Sequence, residues 1–406
     1  MPDVDVLLPE HTRADGAKVV RDVRAAARTM APFAADVVAF AADLSRALRR
    51  EPRVRELPAL GALAFWIRPA SLERLRKEWS HLDSDERVVR VPRGAVFHIP
   101  PTNVDTLFVY SWLLSALVGN ANIVRLSPAA AAAPSPLLGI IGDVLQQHPR
   151  VAATTAIVTY AHDDAITAAL SGADVRVIWG GDDTVNAIRG VPLGPASMEL
   201  AFPDRFSMAA FDAAAVNAID DDDLAQLAGA FYNDAYWFDQ MGCASPRLVV
   251  WRGSDVDAAA KRLYDALGAE VDRRGYDTAT GVLIAKLVHA ADTAAAGHVG
   301  RVDWSNNALT VAHLHEVGGI VRDGPGGGLF YDARIEELDD LAPCLVRRDQ
   351  TLTHFGFSLA ELRAFIRMVN GRGIDRVVPV GEALTFGHHW DGYDLLHAFS
   401  RGVACR

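Results

Sequence analysis

Cysteine is scarce in this 406-residue chain: three occur, Cys243, Cys344 and Cys405, odd in number and far apart. A disulfide framework is therefore not expected, a reducing compartment fits, and the cytoplasm is the expected location. Long apolar runs are missing too, since the most apolar window, residues 106–118, is about 13 residues against the roughly 20 needed to cross a bilayer. The N-terminus has no basic segment leading into an apolar one, so it does not read as a secretory signal. Positive charge is in deficit: 40 Lys and Arg face 51 Asp and Glu, a net charge of -11 with no long basic run. Nucleic acid and anionic membranes are poor partners for such a surface, and small molecules are better ones. Also missing is Gly-x-Gly-x-x-Gly, which excludes the common dinucleotide fingerprint. The glycine-rich Gly324-Pro325-Gly326-Gly327-Gly328 lacks the lysine and hydroxyl of a phosphate loop, and reads as a hinge or surface turn. What is present is ordinary globular composition, 50% hydrophobic and 22% charged. The length exceeds the roughly 250 to 300 residues at which one core stops growing, so two packed domains are expected.

Residues 15–50 carry apolar positions at three- and four-residue spacing, as amphipathic helices do, and residues 1–87 read as a helical lead-in. From Val88 to Ile99, β-branched runs broken by Pro92 and Gly94 predict two short strands. A helix at 104–118, a strand at 121–126, a helix at 134–147, and strands at 156–160 and 175–179 around a helix at 163–170 complete an alternation. That alternation predicts a parallel sheet with crossover helices, a doubly wound α/β domain over 88–202. A second α/β series over 203–375 has strands predicted at 247–251 and 317–321 and a helix at 255–267. Residues 376–406 are expected to pack back near the active site or an oligomer surface. Asp220 to Asp223 read as acid at a helix N-terminus rather than a cation site, and no metal is expected.

Cys243 is followed by Ala244, Ser245 and Pro246 after the aromatic, amide-rich run Tyr232 to Gly242, a pattern that presents a thiol at a turn. The competing reading is a small buried hydrophobe whose reactivity is never used. Cys344 lies in an apolar, strand-like run and Cys405 beside the chain end, and neither reads as a nucleophile. Adjacent histidines point different ways in regular structure. His388-His389 therefore reads as part of a packed corner with Trp390-Asp391-Gly392-Tyr393-Asp394 rather than as a ligand pair. In open α/β sheets, ligands gather at the carboxyl ends of strands, where the segments His98 to Asp105 and Gly119 to Pro128 both fall.

Pro101-Thr102-Asn103, the strand Gly119-Asn120-Ala121-Asn122-Ile123-Val124-Arg125-Leu126-Ser127 and the downstream Cys243 occur in an order that resembles the aldehyde dehydrogenase superfamily. Within it, Cys243-Ala244-Ser245-Pro246-Arg247, the segment Gly373 to Gly381 and Trp390 to Asp394 resemble the acyl-CoA reductases typified by LuxC. The resemblance covers roughly residues 88–401. It implies an aldehyde dehydrogenase-like fold of two doubly wound α/β domains, a nicotinamide-binding one and a catalytic one. The implied activity is NAD(P)H-dependent reduction of an acyl thioester, on coenzyme A or an acyl carrier protein, to the aldehyde, in a homo-oligomer. Cys243 is then the acylated nucleophile, whose covalent intermediate splits one hard step into two, and Asn103 the side-chain oxyanion donor, although it could equally cap the helix that follows. Arg125 and Ser127 match the adenosine-ribose position, and an arginine there favours NADPH over NADH through its fork of donors. Gly180 and Gly181 match the pyrophosphate turn, with Asp182 and Asp183 as unexpected acids beside it, and Gln350-Thr351 match the segment facing the nicotinamide ribose. Glu199 sits where hydrolytic relatives keep a general base, yet Ala201-Phe202 replace the usual Gly-Gly; it is read as a proton relay or a strand-end residue. Two alternatives stay open: an oxidiser of aldehydes to free acids, and a non-catalytic acyl-binding partner.

Overall fold

The computed structural model describes residues 2–101, 106–132 and 135–406. They form two compact units, Met1–Asp204 with Phe386–Arg406, and Arg205–Thr385. Among the described residues no helix is long and apolar enough to cross a membrane.

The first unit contains β1 (Asp3–Leu8), β2 (Thr12–Asp15), β3 (Val88–Pro92), β4 (Ala95–Ile99), β5 (Ala121–Leu126), β6 (Thr155–Thr159), β7 (Val175–Trp179) and β8 (Met198–Phe202). Its seven-stranded sheet runs β2-β1-β6-β5-β4-β7-β8, and the five strands from β6 to β8 are parallel. Every residue of β4 and β7 is buried, as strands covered on both faces must be, which is why they read as mostly apolar runs, interrupted only by His98 and Arg176, rather than as alternating ones. Counted from β4, the parallel strands lie in the order 3-2-1-4-5. That is five of the six strands of a doubly wound nucleotide-binding sheet, and its topological switch point lies between β4 and β7.

Residues 1–87 are part of this unit rather than a separate lead-in. The helices Gly16–Ala27 and Ala35–Arg50 are present, but β1 and β2 precede them as an antiparallel hairpin that extends the sheet past β6. The Asp-Val-Asp-Val alternation of β1 buries Val4 and Val6 and exposes the acids, a six-residue signal too short to stand out in the sequence. At the other end of the chain, β18 (Ser400–Ala404) pairs with β3.

The second unit contains β9 (Phe206–Asp212), β10 (Pro246–Arg252), β11 (Val299–Asn306), β12 (Leu309–Leu314), β13 (Leu329–Ile335), β14 (Asp349–Phe355) and β15 (Arg376–Pro379). Their order is β11-β12-β13-β10-β9-β14-β15, parallel except for β11. The strand expected at 317–321 does not form. Val317–Gly319 is a single 3-10 turn, since Gly318 and Gly319 offer a ladder no side chains to pack. The cysteine expected in a strand, Cys344, ends another such turn, Leu338–Cys344. β15 is the edge strand of this sheet, so the second unit reaches Thr385 and only Phe386–Arg406 belong with the first. Asp220 caps the helix Asp221–Tyr236 by accepting the Asp223 N–H, and the other acids of the run fill its first turn, where the helix dipole favours them.

Candidate active site

The helix Asp221–Tyr236 delivers the chain to the cysteine through an unusual bend. Phe238, Asp239 and Gln240 have φ of 57°, 53° and 63°, three successive non-glycine residues in the left-handed region. Each costs roughly 1 to 2 kcal/mol there because Cβ crowds the following carbonyl, so the bend persists only if its surroundings hold it. They do. The fully buried Gln240 donates from Nε2 to the Pro246 carbonyl at 2.9 Å and accepts the Gly328 N–H at 3.0 Å, while the Asp239 carbonyl accepts the Gly327 N–H at 2.9 Å. Gly326 to Gly328, read from sequence as a hinge or surface turn, are buried and are the far wall of this clamp. All three have positive φ, and a Cβ on Gly328 would stand 1.9 Å from the Ala308 carbonyl oxygen and one on Gly326 2.3 Å from that of Asp239. Behind them the fully buried Lys286 donates to the carbonyls of Gly327 (2.7 Å) and Asn307 (3.0 Å), and burial pushes its ammonium down to about 8.

The bend ends in a β-turn. The Ser245 N–H donates to the Gly242 carbonyl at 3.0 Å, which puts Cys243 and Ala244 at its central positions, directly before β10. Cys243 is partly exposed and Ala244 buried. The Cys243 carbonyl accepts from Ser207 Oγ at 2.7 Å; that hydroxyl accepts the Thr351 N–H at 3.2 Å, and Thr351 Oγ1 donates to Gln350 Oε1 at 3.1 Å. Cys243, Gln350 and Thr351 are thus joined through Ser207 across the amino ends of β10, β9 and β14. Sequence reasoning gave Ser207 no role in the site. Arg247 donates to the carbonyls of Gln240 and Gly324, each at 3.4 Å, strapping the turn from β10. A cavity of about 490 Å³ lined by His354, Arg363, Arg367 and Pro379 lies at the opposite, carboxyl ends of β14 and β15.

In the first unit, Gly180 and Gly181 follow β7 at the switch point and open the helix Asp182–Arg189. Its first N–H is already engaged: Asp182 N donates to Asp204 Oδ2 at 3.1 Å, and Asp204 N returns to Asp182 Oδ1 at 3.2 Å. Arg125 lies near the carboxyl end of β5 with its guanidinium 4.9 Å from the Tyr160 ring centre, and its buried Nε has no protein partner. Ser127 caps the short helix Pro128–Ala131 by accepting the Ala130 N–H at 3.1 Å. Asn103 lies outside the described residues.

The motif asparagines before Arg125 serve the fold. Asn120 accepts the Gly94 N–H and donates to the carbonyls of Ser115 and Phe399. Asn122 donates to the Asn120 carbonyl, which leaves its Oδ1 to accept His98 Nε2–H at 3.0 Å; His98 Nδ1 then accepts from Ser111, whose hydroxyl receives Trp179 Nε1–H. Total burial drives His98 down to about 4, so it stays neutral.

Glu199 is not poised as a base. It lies in the amino-terminal half of β8, in register with Arg176. Its carboxylate accepts from Arg176 Nη2 at 2.6 Å and Arg189 Nε at 2.7 Å. Burial works against ionisation, but the two guanidiniums outweigh it and hold the carboxyl below its ordinary range, the reverse of what a general base near neutrality needs.

The description "Acyl-CoA reductase (LuxC)" matches residues 68–280. Long-chain acyl-protein thioester reductase of Photorhabdus luminescens is 24% identical over 314 residues, 75% of this chain and 61% of that protein; its Vibrio harveyi counterpart is 23% identical over 320 residues, 76% and 62%. The chain thus spans under two thirds of these relatives. Among solved structures, lactaldehyde dehydrogenase from Escherichia coli superposes with a TM-score of 0.66 at 14% identity, covering 99% of this chain and 95% of that one. 1-Pyrroline-5-carboxylate dehydrogenase from Thermus with bound NAD gives 0.66 at 13%, covering 96% and 84%. The two parallel sheets are therefore the aldehyde dehydrogenase fold, and the chain belongs to the acyl-CoA reductase (LuxC) family.

Proposed function

We propose that the protein reduces a long-chain acyl thioester to the aldehyde through an acyl-enzyme on Cys243. The observation that carries this reading is the clamped left-handed bend. A buried amide, the N–H groups of Gly327 and Gly328 and a serine hydroxyl are spent on fixing one turn, and the side chain that turn presents is a partly exposed thiol. Strain of this kind collects at functional sites.

In the first half-reaction the Cys243 thiolate attacks the thioester carbonyl. The new C–S bond forms as the carrier thiol departs and takes a proton. Holding the Gly242 carbonyl on the Ser245 N–H and the Cys243 carbonyl on Ser207 fixes the peptide planes on both sides of Cys243, and with them the direction of its backbone N–H, which would meet the oxyanion. Asn103 keeps the amide-donor role that the resemblance gives it. In the second half-reaction the acyl carbon gains a hydride equivalent, the C–S bond breaks, and Cys243 is released as the thiolate. A nicotinamide cofactor, when bound, supplies that hydride.

The first unit fits such a cofactor in part. Arg125, with its unpartnered buried Nε, and Ser127 stand at the carboxyl end of β5 for the adenosine ribose, and Arg125 favours a 2′-phosphate and hence NADPH. Gly180 and Gly181 leave room for close approach, but the carboxylate of Asp204 takes the first helix N–H, so the pyrophosphate would need other donors than that one. Gln350 and Thr351 hold the far end of the Ser207 network and would steer the nicotinamide ribose only through side-chain movement, being almost wholly buried.

Glu199 is better placed to brace β7 against β8 than to activate water. That favours the reductase over a hydrolytic oxidiser, because an acyl-enzyme beside an activated water would be lost as free acid. A radiolabelled long-chain acyl-CoA and its acyl-carrier-protein counterpart test the reading: label should stay on Cys243 without cofactor and leave as aldehyde when NADPH is added. Equal labelling of the Cys243→Ala protein, or release as free acid, overturns it.

A further inference from the structure

The C-terminal segment folds into a hairpin of β16 (His389–Trp390) and β17 (Tyr393–Asp394), with His389 and Asp394 in register across it. Its two-residue loop, Asp391-Gly392, has φ of 50° and 76°, positive at both positions as a type I′ turn demands; this turn matches the right-handed twist of the strands and fixes their register. The hairpin is anchored from inside. Trp390 is buried with its ring centre 5.8 Å from that of Tyr110, and Tyr393 stands edge-on to Phe202 at 5.6 Å. The aromatic corner expected from the sequence is therefore real.

The two histidines do not diverge as the strand rule led us to expect. His388 sits in a bend before β16, where strand alternation does not apply, and the two imidazole centres are 4.1 Å apart. We propose that His388, His389 and Asp394 bind a divalent transition metal of the zinc class. One ligand atom from each lies within 4.8 Å of the others. Donors of a tetrahedral zinc with bonds near 2.05 Å stand about 3.4 Å apart, so side-chain rotation of about 1 Å closes the set.

The donor set suits that metal: two neutral imidazoles and a carboxylate are borderline ligands, and three protein ligands leave a fourth position for water. The carboxylate is already oriented. Asp394 Oδ1 accepts the His397 N–H at 3.1 Å and caps the helix Leu395–Ala398, while Oδ2 is turned toward His389 Nε2, 4.0 Å away. Outer hydrogen bonds of this kind aim metal ligands. Neither imidazole hydrogen-bonds to another group among the described residues, so binding displaces nothing. The bound ion would tie the strand entering the hairpin to the helix that leads into β18.

The test uses the full chain freed of metal by chelation and dialysis. Zinc should bind one equivalent and raise the unfolding temperature, and His389→Ala should weaken binding at least tenfold while leaving the metal-free unfolding temperature unchanged, because this side chain is 70% exposed. Asp394→Asn keeps an effective helix cap and should weaken binding as well. Cobalt should give visible bands of tetrahedral N and O coordination without thiolate charge transfer, which separates this site from the three cysteines. Zinc affinity unchanged in His389→Ala, a thiolate band in the cobalt spectrum, or no saturable binding by the wild-type chain overturns the proposal. Acylation of Cys243 is read separately and does not depend on this outcome.

Discussion

Replacing Gln240 by methionine keeps the side-chain volume and removes both of its hydrogen bonds. The Gly328 N–H and the Pro246 carbonyl would then be buried without their partner. An orphaned buried group costs about 1 to 3 kcal/mol, so the pair amounts to about 2 to 6 kcal/mol. The left-handed run of Phe238, Asp239 and Gln240 stores a comparable amount, about 3 to 6 kcal/mol at 1 to 2 per residue. Because the two are similar in size, losing the clamp should let the bend relax rather than merely soften it. Hydrogen exchange read by mass spectrometry should therefore quicken in peptides covering residues 236–247 and 324–330, with the rest of the second unit little changed. Acylation of Cys243, measured as the burst of carrier thiol in a single turnover, should slow at least tenfold. Gln240→Glu adds an internal control. Its carboxylate can accept from Gly328 but cannot donate to Pro246, whereas its protonated form can do both, so this variant should recover stability as the pH falls. Wild-type exchange in both segments together with a wild-type burst in Gln240→Met would refute the idea that the clamp shapes the nucleophile's turn.

Three further outcomes follow from the same geometry. Glu199→Gln should lose about 3 kcal/mol of stability in urea unfolding, because it leaves the buried Arg176 without its carboxylate, and it should still form aldehyde; a selective loss of acid formation would instead mark Glu199 as a base. His98 is held at about 4 against 6.5 in the unfolded chain, so the unfolded state binds the extra proton and stability falls as the pH drops from 6.5 to 4, by about 3 kcal/mol in all. Thermal melts across that window should show the loss, and a flat profile would contradict a neutral buried imidazole. Asp234 has the opposite sign: desolvation raises its carboxyl to about 7 despite the N–H groups of Gly381 and Ala383, so its contribution is complete below about 4 and is lost as the pH rises through 7. The melting temperature of Asp234→Asn relative to wild type should rise between about pH 4 and 7 and level off above 7, and a difference that does not change across that window would rule this out.

The parallel core was legible because its strands are buried on both faces, and a run such as Val175 to Trp179 carries its fate in composition alone. Cys243 was legible for a similar local reason: Gly242 before it and Pro246 after it mark a turn. The rest depended on partners distant in sequence. Nothing near Gly327 and Gly328 announces that their N–H groups hold a bend some 88 residues upstream, and a glycine run beside a proline reads as a surface turn. Ser207 was missed likewise, because a hydroxyl at a strand start acquires its role only when β9 pairs with β10 and β14. Glu199 is the converse case. Its place in the motif left a proton relay and a strand-end residue both open, because Arg176 and Arg189 are recognisable as its partners only once β7 and β8 are in register.

The two units also use their sheets differently, and the difference has a physical basis. In the first, Arg125, Gly180 and Gly181 gather at the carboxyl ends of strands, where loops feed helix N-termini and a doubly wound sheet offers its crevice to an anionic cofactor. In the second, Cys243, Ser207, Gln350 and Thr351 gather at the amino ends. The nucleophile proposed at Cys243 must be held without freedom to drift, and a turn entering a central strand is braced by the ladder on both sides: β10 pairs with β9 and β13 from Leu248 onward. The left-handed bend then sets the approach to that turn, and the glycine wall behind it cannot be replaced, since any side chain at Gly328 would meet the Ala308 carbonyl. The rigidity of the thiol's backbone thus comes from packing on residues that carry no chemistry, so substitutions in that wall should impair acylation while leaving every reacting group in place.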